Sequence, residues 1–185
     1  MKKLVLPFLM LSFMLASCSK SMIDDLGRNS NAVNESAISM GHRVLNFQAH
    51  LTGDNEVPPR LTQAQGQAVF QLSKDGTELS YKLIVANLDN ISMSHIHVAP
   101  SGVNGPVVVW LYPSAPPASL IPGTYNGILN QGVITESNLV GSLAGKELSD
   151  LVDLMVSGMT YVNVHTSQFG GGEIRGQIES NSKED

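Results

Sequence analysis

From residue 44 onward, apolar residues recur mainly at every second position, the period of a strand that lays one face on a core. VLNFQAHL (44–51) and ELSYKLIV (78–85) alternate in this way, and QAVFQL (67–72) mixes apolar residues with glutamine. Lys74-Asp75-Gly76 then supplies the Asp-Gly of a tight hairpin. Further strands are predicted at MSHIHV (93–98), VVVWLY (107–112), MTYVNVHT (159–166) and EIRGQI (173–178). VVVWLY is apolar without a break, as in a strand covered on both faces. Pro113, Pro116, Pro117 and Pro122 make 112–126 a loop with extended pieces. The period changes once: Leu148, Leu151, Val152 and Met155 are spaced as one face of a helix over 147–156, with Gly158 as its stop. Gly170-Gly171-Gly172 turns the last two strands into a hairpin. The sum is an all-β antiparallel sandwich or barrel with one short helix.

The two ends of the chain read differently. Lys2 and Lys3 precede a short apolar run (4–15), built like a secretory signal and shorter than the roughly 20 residues that span a bilayer. The run closes on Leu15-Ala16-Ser17-Cys18, which resembles the bacterial lipobox, where the cysteine is acylated. This divides the chain into a lipoprotein signal peptide (1–17), an acylated Cys18 with a polar, Ser- and Asn-rich flexible tether (18–41), a β domain (42–179) and a frayed tail (180–185). The implied location is the bacterial cell envelope, extracytoplasmic, with Ser19 compatible with outer-membrane sorting in a Gram-negative cell. The membrane is then reached through acyl chains at Cys18.

Charge narrows the partners. The net charge of −5 becomes −7 once Lys2 and Lys3 are removed, and no Lys/Arg cluster exists. That argues against nucleic acid and against electrostatic adhesion to anionic lipid. Cys18 is the only cysteine, so no intramolecular disulfide forms and no thiol nucleophile lies in the mature domain. There is no P-loop and no G-x-S-x-G elbow, so no catalytic residue is assigned.

The chemistry that remains lies on the polar faces of the strands. Alternation puts His95 and His97 on one face of their strand, Tyr161, Asn163 and His165 on one face of theirs, and Glu173, Arg175 and Gln177 on a third. If these strands are neighbours, His95, His97 and His165 converge into a metal-ligand set for copper or zinc; otherwise the imidazoles are hydrogen-bonding members of a polar face. Glu173 and Arg175 can pair with each other or grip a polar partner. Glu56, held in the rigid GDNEVPP segment (53–59), either satisfies a buried donor such as Arg175 or reaches the histidines. Glycines 102 and 105 and the 170–172 run are read as turn glycines.

GDNEVPP, SHIHVAPSGVNGPVVVWL and YVNVHTSQFGGGEIRGQI, in that order, resemble the CHRD (chordin-type) domain over roughly residues 44–179. The resemblance implies an immunoglobulin-like or related β-sandwich and an extracellular binding or interaction module. It carries no defined activity, and it leaves an envelope protein or polysaccharide as the partner class. The order H-x-H strand, V-H strand, glycine-rich loop and closing strand is also similar, more distantly, to the Greek-key sandwich of copper/zinc superoxide dismutase. That resemblance implies copper ligation by His95, His97 and His165 and sets Arg175 near a substrate-steering arginine. The bridging histidine, the zinc-loop ligands and the paired cysteines of that family have no counterparts here.

Overall fold

The computed structural model describes residues 45–181. The signal peptide, Cys18, the tether, the first residues of the β domain and the last four of the tail lie outside the described residues. Strands run β1 (Asn46–Thr52), β2 (Gln65–Leu72), β3 (Leu79–Val98), β4 (Val107–Tyr112), β5 (Ile121–Ile134), β6 (Thr160–Thr166), β7 (Ile174–Gln177) and β8 (Glu179–Ser180), with helix α1 (Leu148–Val156) between β5 and β6. All pairings are antiparallel. The order β2-β1-β7-β6-β3-β4, with β2 also paired to β3, closes the sheet into a barrel-like sandwich. The strand that lies beside β1 on its far side is β7, the return connection of a Greek key.

One apolar cluster fills the interior. Phe47, Leu51, Phe70, Leu83, Ile96, Val162, Val164, Ile174 and Ile178 all bury on it. Helix α1 adds Leu148, Leu151, Val152 and Met155, the stripe its spacing predicts. Among the described residues no helix is long and apolar enough to cross a membrane.

Three elements depart from the sequence pattern. The segments 78–85 and 93–98, read as separate strands, are one strand of 20 residues. Its buried positions step by two from Leu79 to Val85, then by three to Leu88, Ile91 and Ser94, and from Ser94 to His97 every residue is buried. Register shifts fall between Val85 and Leu88, between Asp89 and Ile91 and between Ile91 and Met93, and Asn87 and Asn90 hold φ of +58° and +55°. These are β-bulges, which break the alternation without ending the strand, and asparagine tolerates the left-handed geometry they need. The first half of β3 pairs with β2 and β5; the second half pairs with β6 and β4.

Residues 121–126, expected in a loop, begin β5. Most β5 side chains are exposed, so it pairs with β3 through its backbone and shows no apolar alternation. Ser180, expected to fray, pairs with Phe47 of β1, beside the pair of Glu179 with Gln48.

Candidate metal centre

The register between β3 and β6 decides the site. His95 lies opposite Asn163, His97 opposite Tyr161, and Met93 opposite His165. Cross-strand partners point to the same face, so His95, His97 and His165 share one side of the sheet. The sequence suggests a polar face; the structure buries it. Every residue of β6 is buried on both sides of the sheet. The segments 53–62 and 99–105 and the turn 167–172 supply the cover, through the bonds described below.

The three imidazoles are 3 %, 8 % and 6 % exposed at His95, His97 and His165. One ring nitrogen from each lies within 4.8 Å of the others. Two rings are oriented from outside. His97 Nδ1 is 2.8 Å from the Gly105 carbonyl oxygen, and His165 Nδ1 is 3.0 Å from that of Gly170. A carbonyl only accepts, so both Nδ1 atoms carry the hydrogen and both Nε2 atoms hold a lone pair. His95 Nδ1 sits 3.2 Å from His165 Nε2, so in the neutral cluster His95 is the donor there and its own Nε2 also holds a lone pair. The Nε2 atoms of His95 and His97 are buried without a hydrogen-bond partner.

Burial pushes all three imidazoles toward the neutral form. His95 falls to about 3, from burial first and then from the neighbouring His165 and His97. Burial takes His165 to about 4, against the Gly170 hydrogen bond and with help from His97 and Arg175. Burial also lowers His97, opposed by its bond to Gly105. Neutral imidazole is the form that ligates metals.

Aromatic rings fix the cluster sideways. Trp110 of β4 meets His95 edge-on at 4.3 Å between centroids, and Tyr161 stacks on His97 at 4.8 Å and 8°. Arg175 lies over the same tyrosine, with its guanidinium carbon 4.1 Å from the ring centre.

The acidic and basic candidates separate into two roles. Arg175 pairs with Glu56 at 2.8 Å, and both are almost fully buried. Burial pushes the Glu56 carboxyl up, and the Arg175 guanidinium pulls against it. Arg175 also donates to the Val103 carbonyl and to Asn104 Oδ1, while Asn104 donates to the Val57 carbonyl at 3.0 Å. Glu173 does not meet Arg175. Its two oxygens accept from Thr62 and Thr166, each at 2.7 Å. As Glu173 precedes β7 while Arg175 lies opposite Asn163 within it, the two carry different loops. None of these three reaches the imidazoles through a hydrogen bond.

Residue order carries no sign of the two carbonyls that orient the rings, because a backbone acceptor has no side-chain signature. The glycines themselves are the trace. A Cβ at Gly105 would collide with the Val98 carbonyl, so only glycine brings this backbone against His97. Gly172, at φ +120°, leaves room for Glu56 in the same manner.

Comparison with known families matches residues 47–178 to the CHRD domain. No curated protein and no solved structure matches the chain.

The lowered imidazole pKa values make stability depend on pH. Between pH 6.5, the ordinary histidine value, and about 4, the unfolded chain binds protons that the folded cluster refuses. The contribution is fully present above the unfolded value and is lost as pH falls, at up to about 1.4 kcal/mol per pH unit for each histidine. Thermal melts of metal-free protein should show the midpoint dropping from pH 7 to pH 4.5, less steeply in His95→Gln. Equal slopes in the two proteins would contradict a neutral, buried His95.

Proposed function

The chain belongs to the CHRD-domain family, which suggests an interaction module, and on that premise we propose that this domain binds one copper or zinc ion through His95, His97 and His165. One observation carries the reading. His97 and His165 each spend a ring N–H on a backbone carbonyl, which holds the other nitrogen as a lone pair aimed into a buried cluster. Metal-ligating histidines are commonly oriented by such an outer hydrogen bond, which fixes the tautomer and raises ligand basicity.

The donor set fits the ion. Buried lone pairs on His95 Nε2 and His97 Nε2 cost free energy while unpartnered, and coordination would remove that cost. When bound, the ion supplies Lewis acidity or, as copper, a one-electron couple. The chain's own part is to keep the imidazoles neutral, oriented and shielded from bulk water. The reading is of a binding module, without assigned turnover.

The same proposal takes the domain as a lipoprotein of the bacterial cell envelope, held through acyl groups on Cys18. Its support is the Leu15-Ala16-Ser17-Cys18 motif after a short apolar run.

Calorimetric titration of the detergent-solubilised full chain with Zn(II) and Cu(II) tests the metal site. Near-unit stoichiometry, lost in His95→Ala/His97→Ala, is the expected result; an undiminished signal in that variant sinks the assignment. For the anchor, metabolic labelling with a fatty acid should mark the wild type and not Cys18→Ala. Membrane partitioning that survives the substitution would remove the lipoprotein reading.

A further inference from the structure

We infer that Met93 supplies a thioether to the histidine cluster and so makes it a site for copper in the Cu(I) state. The inference rests on the metal reading above and goes beyond it by naming a fourth donor and the ion it selects.

The bulge in β3 is the starting point. Ile91 is fully buried in the core and lies opposite Thr166, whereas Met93 lies opposite His165. On an unbroken strand, residues 91 and 93 would share a face. The register shift between them inserts one extra residue on β3 and sends Met93 to the side opposite Ile91. From Met93 to Val98 the pairing with β6 is regular. Met93, His95 and His97 therefore lie in a row on one face, and His165 stands directly across from the first of them.

Burial agrees with that placement. Met93 is half-buried, yet it is not among the half-buried side chains that pack on the apolar core. Its neighbour Ser94 is fully buried on the opposite side, beside Ile96. A flexible thioether at a directly opposed strand position spans the distance to a neighbouring imidazole, since opposed Cβ atoms lie about 4.5–5.5 Å apart.

Donor chemistry then selects the ion. Three neutral imidazoles accept Zn(II), Cu(II) and Cu(I) alike, while a thioether is a soft donor that favours Cu(I). The cover formed by residues 53–62 and 99–105 favours the lower charge too, because a dehydrated site of neutral ligands penalises a divalent ion more than a monovalent one.

The test compares the full chain with Met93→Leu, a swap that conserves volume, and with His95→Ala/His97→Ala. Cu(I) affinity is read anaerobically by competition with a chromophoric Cu(I) chelator, Zn(II) affinity by calorimetry, and copper coordination by X-ray absorption. Met93→Leu should weaken Cu(I) binding by at least about tenfold, leave Zn(II) affinity within about twofold and abolish a sulfur shell seen in the wild type. Wild type without a sulfur shell, or with Cu(I) affinity equal to that of Met93→Leu, overturns the role of Met93 while the three-histidine site stands. A wild type that binds neither ion overturns both readings. Melting curves of Met93→Leu confirm that any loss is not unfolding.

Discussion

The buried pair between Arg175 and Glu56 is the contact on which the polar side of this barrel depends. Two charges removed from water are tolerated only when paired and hydrogen-bonded, and leaving one of them alone is strongly destabilising. Arg175 meets that condition by drawing in two loops at once. It holds Glu56 from the segment after β1 and reaches Val103 and Asn104 from the segment after β3. Asn104 ties the two segments together through Val57. The next residue, Gly105, offers its carbonyl to His97 and its N–H to the hydroxyl of Tyr161. The ion pair thus sets the loop that sets the imidazole.

A second, independent clamp works at the other end of the cluster. Glu173 joins Thr62 to Thr166, and Thr166 Oγ1 accepts from the Phe169 N–H at the start of the glycine turn. Gly170 in that turn accepts from His165. Two carboxylates that look alike in the sequence therefore do parallel work on different loops, one through a cation and one through two hydroxyls. Both lie a step away from the imidazoles, which suits the preorganisation of a binding site better than direct contact with a ligand.

Much of this was legible from residue order. Strict alternation in YVNVHT and EIRGQI separates Val162, Val164, Ile174 and Ile178, all fully buried in the core, from His165 and Arg175. The short helix reads directly from Leu148, Leu151, Val152 and Met155. What stayed hidden has physical causes. Bulges at Asn87, Asn90 and Ser92 shift the parity of β3, so one strand looks like two and Met93 cannot be assigned to a face. Strand β5 is too exposed to carry a pattern. The burial of the polar face depends on loops whose contacts are mostly backbone carbonyls, and the pairing of Glu56 rather than Glu173 with Arg175 depends on long-range closure.

The central claim is that three neutral imidazoles are held ready, with one ring nitrogen of each within 4.8 Å of the others. Long-range proton–nitrogen correlation NMR of the histidine rings tests it directly. At neutral pH the metal-free chain should show His95, His97 and His165 as Nδ1–H tautomers, and one equivalent of Zn(II) should shift the ring nitrogens of all three while exposed His50 is unmoved. An Nε2–H tautomer at His97 or His165 in the metal-free chain, or shifts confined to His50, would contradict the account.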